Sequence, residues 1–280
     1  MSTGRTHFLD SARKFGTFRF IHGDLCDPQV SLDAAKGCDT IFHLAANADV
    51  RYGTDYPTRD LEQNTMVTVN MLEATRRNGV KNFAFSSTGS VYGESLVIPT
   101  PEDAPSPIQT SLYGASKMAA EGFIQAYAEG FGIRALIFRF VSLLGERYTH
   151  GHVVDFVHQL REHPNSLHIL GNGLQRKSYL YVGDCVDAML VALQNSPGNV
   201  GVYNLGTDEY CAVNDSVGWI CRELQLRPVL TYSGGERGWI GDNPFIFLDC
   251  SRIRSLGWRP SMAIQEAIVK TVRWLEETGS

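Results

Sequence analysis

The residues whose types and spacing could do chemistry lie between Ser86 and Lys117. Tyr113 and Lys117 are four positions apart, so a helix would place them on one face. A lysine ammonium beside a phenol stabilises the phenolate and lowers the pKa of the tyrosine. A tyrosine with a lowered pKa can act as a general base near neutral pH. Taken alone, a Tyr-x-x-x-Lys pair is more often a solvated stripe, so a second feature is needed.

That second feature is a cluster of hydroxyl side chains about 25 residues before Tyr113. Ser86, Ser87 and Thr88 follow the apolar run 81–85, which predicts a buried parallel strand. The carboxyl ends of parallel strands are where α/β proteins hold their ligands. Residues 113–130 predict a helix that ends at a glycine. The hydroxyl cluster and the Tyr–Lys pair together indicate a catalytic site.

Strands and helices alternate along the chain, which predicts an α/β fold with a parallel sheet covered on both faces. In the first half we predict strands at 17–23, 40–46, 81–85 and 133–140, and helices at 28–36, 60–78 and 113–130. The pattern loosens after Arg139, where we predict strands at 179–182 and 202–205 and helices at 152–162, 184–195, 214–224 and 263–277.

Composition excludes several classes of protein. The 280 residues can bury a large core, and the net charge of −5 gives no electrostatic reason to bind nucleic acid or an acidic membrane. No apolar run approaches the roughly 18 residues of a membrane span. The six cysteines contain no Cys-x-x-Cys pair, which favours reduced thiols and a cytoplasmic protein. The mixed spacing of five histidines between 150 and 168 favours structural or solvated roles over a metal site, and a core role is favoured for His43.

Two phrases carry a resemblance to a known family. Phe-Ser-Ser-Thr-Gly-Ser-Val-Tyr-Gly-Glu at 85–94 and Ser-Leu-Tyr-Gly-Ala-Ser-Lys at 111–117 resemble the extended short-chain dehydrogenase/reductase family. Within it, the NAD-dependent sugar-nucleotide epimerases are most similar, the UDP-glucose (UDP-galactose) 4-epimerases above all, and the likeness runs from Ser2 to about Glu277. It implies a Rossmann-type NAD-binding domain at 1–140, joined by 175–205, and a smaller substrate-binding lobe mainly at 141–280.

The resemblance also implies roles for single residues. Tyr113 would take the proton of the sugar 4-hydroxyl while hydride passes from C4 to NAD, with Lys117 as its partner and Thr88 bonded to the sugar oxygen. The implied cofactor contacts are Asp24, Leu25, Leu44, Ala45, Ala46, Asn64, Ser86, Tyr113, Lys117 and Phe140. The implied substrate contacts are Thr88, Tyr113, Ser142 (where the family usually has asparagine), Lys177 (or Arg176) and Arg237. Outside its motif, Arg237 would be interpreted as a solvated surface arginine.

One part of the family pattern is missing. A dinucleotide-binding domain opens with a strand, a glycine-rich turn and a helix that holds the pyrophosphate, and Gly4, Gly16 and Gly23 lack that spacing. We therefore expect an N-terminally truncated sheet without its first two strands and glycine loop. Either the strand at 17–23 pairs with the one at 40–46, or another chain covers that edge. We also expect weak NAD binding, with UDP-sugar binding through Arg237 better preserved.

The resemblance implies an NAD-dependent 4-epimerase of UDP-glucose or UDP-galactose, and the alternative is a non-catalytic sugar-nucleotide-binding remnant. Dehydratases of this superfamily follow their threonine with Asp-Glu, whereas Thr88 is followed by Gly89-Ser90, which argues against water elimination. A homodimer is also implied, through helices 60–78 and 113–130. The apolar side chains expected at its interface are Met66, Val69, Leu72, Met118 and Phe123.

Overall fold

The computed structural model describes residues 4–48, 55–105, 108–238, 243 and 245–279. The strands are β1 (Thr40–His43), β2 (Asn82–Thr88), β3 (Arg134–Phe140), β4 (Ser142–Leu144), β5 (Ser166–Ile169), β6 (Arg176–Lys177), β7 (Tyr179–Tyr181), β8 (Val200–Leu205), β9 (Cys211–Ala212), β10 (Val229–Tyr232) and β11 (Phe245–Ile246). The helices are α1 (Pro28–Ala34), α2 (a π-helical Leu61–Met66 that continues as Val67–Arg77), α3 (Leu112–Phe131), α4 (His152–Glu162), α5 (Val182–Asn195), α6 (Val213–Glu223), α7 (Ser251–Ser255) and α8 (Ile264–Thr278).

The central sheet has the strand order β1-β2-β3-β8, and all of its pairs are parallel. Both of its faces are covered, which explains why β2 and β3 are continuous apolar runs. Phe83 and Phe85 pack with Leu72 and Ile124 under α2 and α3. Ala84 points to the other face, in the core formed with α5 and α7. The fold is therefore the α/β, Rossmann-like fold that the sequence predicts.

A third core lies beyond β3. There α4, α6 and α8 pack around short two- and three-stranded sheets, with β4 paired to β7 and β5 to β10. Both β8 and α5 belong to the central layers, although they follow β4 to β7 in the chain. The division into an NAD-binding domain and a substrate lobe stays a prediction.

Local signals place α3 where the site needs it. The Ser111 side chain accepts a hydrogen bond from the Gly114 N–H at 3.0 Å, which satisfies an N-terminal donor of the helix. The helix ends at Gly132, whose φ of +67° is the left-handed conformation typical of a helix end. The predicted end at Gly130 is wrong by a short distance because that glycine remains helical.

The strand predicted at 17–23 is wrong. These residues form no regular element, and Phe20 and Ile21 are exposed. An alternating apolar pattern forms a strand only where a neighbouring strand accepts its hydrogen bonds, and 17–23 does not pair with β1. Within the described part of the chain β1 is an edge strand, and it ends at His43 instead of the predicted Ala46.

All six cysteines are free thiols, as their spacing predicts. None of the helices in the described ranges has both the length and the apolar composition needed to cross a membrane.

Candidate active site

The carboxyl end of β2 faces the amino-terminal half of α3. The Thr88 hydroxyl lies near enough to the Tyr113 phenol to lower its pKa, and both side chains line one cavity. Two residues earlier in the strand, the carbonyl of Ser86 accepts a hydrogen bond from Lys117 Nζ at 2.7 Å. The structure therefore brings together the hydroxyl cluster and the Tyr–Lys pair on the elements that the sequence predicts.

Tyr113 is protonated over a wide pH range in this structure. Burial raises its pKa to about 12 and the negative charge of Asp60 acts in the same direction, while the Thr88 hydroxyl opposes them. The expectation that Lys117 lowers this pKa is wrong here, because the ammonium is directed at the Ser86 carbonyl and the phenol is desolvated. The geometry for proton transfer is present, but phenolate formation needs further positive charge.

Lys117 is almost completely enclosed, with 2% of its surface exposed. Its ammonium lies 4.6 Å from the centre of the Phe85 ring. Burial lowers the pKa of Lys117 to about 8, and the negative charge of Glu121 opposes that effect. A lysine in this state can change its protonation near neutral pH.

A cavity of about 490 Å³ begins at Tyr113 and Thr88 and continues towards α4 and β6. Of the predicted site residues, it is lined by Thr88, Tyr113, Phe140, Ser142 and Lys177. Polar side chains that the sequence did not indicate also line it: Ser90, Thr110, Tyr148, His150, His152, Asp155, Gln159, His168, Gln175 and Ser178. His152, Asp155 and Gln159 share α4 at a spacing that places them on one face, whereas the others come from separate segments that no local spacing connects. Except for Ser90 and Thr110, all of them lie after β3, where the pattern loosens.

The two candidate cations at β6 point in different directions. Lys177 lines the cavity and donates to the carbonyl of Asn243 at 2.7 Å. The guanidinium of Arg176 lies over the Phe245 ring at 4.0 Å and the Tyr210 ring at 5.6 Å. Successive residues of a strand point to opposite sides, so Lys177 is the candidate that faces a ligand.

Arg237 is placed apart from this group. It is exposed, forms an ion pair with Glu94, and is not among the residues that line the cavity.

The remaining predicted residues lie at or after the carboxyl ends of β1 and β2, on α2, and in the segment before α1. Asn64 is buried, and it accepts from the Asn47 N–H at 2.7 Å and donates to Ser116 Oγ at 2.9 Å. Ser86 Oγ donates to the carbonyl of His43 at 3.3 Å. Leu44 and Ala45 are exposed beyond β1, and Ala46 is half-buried. Asp24 is exposed and accepts from the Cys26 N–H, and the carbonyl of Leu25 accepts from Asn70 Nδ2.

His43 and His152 are held by other side chains of the protein. His43 is buried, with Nε2 at 3.0 Å from Thr68 Oγ1, and burial lowers its pKa to about 3. His152 stacks on Tyr179 at 4.8 Å and lies 2.7 Å from Ser216 Oγ. Across the described residues, no three His, Cys, Asp or Glu side chains are grouped to hold a metal ion.

The chain is similar to several known proteins. A putative UDP-glucose 4-epimerase from Methanocaldococcus jannaschii is 30% identical over 267 residues, which is 93% of this chain and 85% of the relative. A dTDP-D-glucose 4,6-dehydratase from Mus musculus is 31% identical over 268 residues, 92% of this chain and 74% of the relative. A crystal structure of a UDP-galactose 4-epimerase superposes with a TM-score of 0.88 at 35% identity, covering 99% of this chain and 88% of the other.

The family model described as the NAD dependent epimerase/dehydratase family matches residues 2–206. That match includes β2, β3 and the helix that carries Tyr113 and Lys117. With relatives at this identity over nearly the whole chain, the protein belongs to the NAD-dependent epimerase/dehydratase family.

Proposed function

We propose that this protein is a 4-epimerase of a nucleotide sugar of the UDP-glucose/UDP-galactose type. The observation that carries the proposal is the proximity of Thr88 to Tyr113 in the wall of a cavity that also contains Lys177. The volume of about 490 Å³ suits a small ligand, and a lysine in its wall can neutralise a diphosphate. The epimerases among the similar proteins support the same reaction.

The chain's own residues supply proton transfer and positioning. Tyr113 accepts the proton of the sugar 4-hydroxyl and later returns it to the same oxygen. Thr88 donates a hydrogen bond that stabilises the phenolate, and the Lys117 ammonium adds positive charge once it turns from the Ser86 carbonyl towards the phenol. Lys177 and Ser142 bind the diphosphate. Arg237 is the second cation for it, and it exchanges Glu94 for the ligand.

NAD, when bound, supplies the hydride acceptor and donor for C4 of the sugar. The residues present fit the nicotinamide half, because Lys117 offers a buried ammonium and the small Ala45 and Ala46 leave the end of β1 uncovered. Asp24 and Leu25 would hold the adenine, and Asn64, Ser86 and Phe140 the parts of the cofactor nearer the sheet. Weak binding of NAD stays a prediction.

A steric observation favours epimerisation over water elimination. A Cβ atom at Gly89 would lie 2.7 Å from Ile246 Cγ2, closer than real side chains approach. The aspartate that dehydratases carry after their threonine would therefore require Ile246 to shift. The next residue, Ser90, donates its backbone N–H to Thr88 Oγ1 at 3.1 Å and provides no carboxylate.

The experiment is conversion of UDP-galactose to UDP-glucose by the purified protein at increasing NAD. We expect conversion that saturates with NAD, and a loss of about 100-fold or more in Tyr113→Phe because proton transfer is removed. UDP binding by that variant, measured by calorimetry, should be unchanged. Equal rates for the two proteins, or no conversion at saturating NAD, would contradict the proposal.

A further inference from the structure

Three consecutive residues of β2 are matched by three residues of α3. The Ser86 carbonyl accepts from Lys117 and Thr88 lies beside Tyr113, and between them Ser87 Oγ donates a hydrogen bond to a carboxylate oxygen of Glu121. Tyr113, Lys117 and Glu121 follow each other at intervals of four, so they share one side of the helix. Glu121 is thus the third member of the row that contains the catalytic pair.

Glu121 is held more firmly than either of its neighbours in this row. It is 2% exposed, and Arg139 on β3 donates to both of its oxygens, with the Nη2 contact at 2.6 Å and the Nε contacts at 3.0 and 3.1 Å. Ser87 and Arg139 are register partners in the sheet. Forked arginine–carboxylate pairs fix direction as well as distance.

The network continues across the sheet. Arg139 Nη1 donates to the hydroxyl of Tyr92 at 2.9 Å and to the carbonyl of Glu102 at 3.0 Å. The Tyr92 hydroxyl donates in turn to Asn204 Oδ1 on β8 at 2.8 Å. Glu121 therefore joins α3 to β2 and, through Arg139, to β3 and β8.

The same carboxylate is placed to act on the charge of Lys117. Burial favours the neutral form of this lysine, and Glu121 is the charged group that opposes it. His43 on β1 faces Lys117 but stays neutral at physiological pH. Asp60, at the start of α2, acts on Tyr113.

We propose that Glu121 is a positioning residue for the catalytic pair, which holds α3 in register with Ser86–Thr88 and keeps the Lys117 ammonium protonated. The inference rests on the roles given to Tyr113 and Lys117 in the proposed function. Loss of the carboxylate would leave Lys117 neutral at a lower pH and deprive the Tyr113 phenolate of its neighbouring charge.

The test is a titration of Lys117 by NMR in protein labelled with ¹³C at the lysine ε-carbon, with Lys117→Met used to assign its signal. In the unaltered protein the midpoint should lie near pH 8. In Glu121→Gln it should fall by about one pH unit, because an opposite charge has been removed. The matched control is Glu129→Gln, an exposed carboxylate on the same helix, which should leave the midpoint unchanged.

Glu121→Gln leaves Arg139 without its counter-charge, so Glu121→Gln/Arg139→Gln is measured beside it. This charge-balanced variant should also show a lowered Lys117 midpoint. If the Glu121–Arg139 ion pair had only a structural role, the midpoint of the Lys117 titration would be unchanged in whichever of the two variants folds. That result would overturn the proposal. In active protein, the pH profile of kcat should move with the same midpoint. Because the titration needs no turnover, absence of epimerase activity would contradict the proposed function without deciding the role of Glu121.

Discussion

At the scale of single residues, the burial of Lys117 has a measurable effect on stability. Its pKa is lowered to about 8 in the folded protein from the ordinary value of 10.5. Between these values the unfolded chain binds a proton that the folded protein does not, so stability rises with pH across this window. The destabilisation caused by burying charged Lys117 is thus fully present below pH 8 and is relieved as the pH approaches 10.5.

We predict that Lys117→Met removes this rise. The free energy of unfolding, measured with urea between pH 7.5 and 10, should increase by up to about 3 kcal/mol more in the unaltered protein than in the variant. Tyr113 does not contribute to this difference, because its raised pKa changes the stability only above pH 10. Parallel pH profiles for the two proteins would show that Lys117 is not desolvated as described.

The two cations of β6 give a matched pair of substitutions. Lys177 faces the cavity and Arg176 lies on the rings of Phe245 and Tyr210. Lys177→Ala should weaken the binding of UDP-glucose by about 10-fold or more, since a charge-assisted contact is worth about 1.5–3 kcal/mol. Arg176→Ala should leave the affinity within about twofold. Calorimetric titration measures both, and a larger loss in Arg176→Ala would reverse the assignment.

At the scale of elements, the turn after β5 is shaped by a glycine. Gly171 has a φ of +81°, and a Cβ atom there would lie 1.8 Å from Nε2 of Gln175, which lines the cavity. Gly171→Ala should cost about 1–2 kcal/mol through the left-handed backbone, and the Gln175 side chain must move to make room. Gly218→Ala, in the interior of α6 with open space around it, should stabilise by about 1 kcal/mol. Thermal unfolding measures both changes, and equal effects would contradict the strain assigned to the turn.

The sequence predicts well those elements whose own residue types indicate that they are buried. The apolar runs of β2 and β3 are such signals. The segment 17–23 has an equally clear alternating pattern but no strand partner. The sequence of one segment does not show whether a neighbouring strand is available to pair with it. The sequence does not decide whether Lys177 or Arg176 faces a ligand. The structure decides it, because Arg176 lies over the rings of Phe245 and Tyr210. Likewise the raised pKa of Tyr113 follows from burial, whereas the Tyr-x-x-x-Lys spacing predicts the reverse.

At the scale of the whole molecule, α2 and α3 present apolar side chains to solvent. Met66 is 50% and Phe123 46% exposed, and Leu61 and Leu112 are exposed on the same two helices. The prediction that Leu72 lies in the dimer interface is wrong, because this side chain is fully buried in the core under α2 and α3. Met118 packs mainly against the opposite core, and Val69 is half-buried.

We predict a homodimer through these two helices. Light scattering at micromolar concentration should report twice the mass of the chain, and Met66→Glu/Phe123→Glu should report a monomer because the charges cannot be buried in the interface. Val200→Glu, at an exposed position on β8 away from α2 and α3, is the control and should remain dimeric. A monomeric unaltered protein would show the prediction to be wrong.

The fate of the hydrogen on C4 tests the central claim most directly. A 4-epimerase removes this hydrogen and returns it to the opposite face of the same carbon, whereas a 4,6-dehydratase passes it to C6 as water leaves. UDP-galactose carrying deuterium at C4 is incubated with the protein and NAD, and the products are examined by NMR and mass spectrometry. The account predicts UDP-glucose with deuterium retained at C4. The Tyr113→Phe variant should not form this product. Deuterium at C6 of a 4-keto-6-deoxy sugar, or unchanged UDP-galactose at saturating NAD, would contradict it.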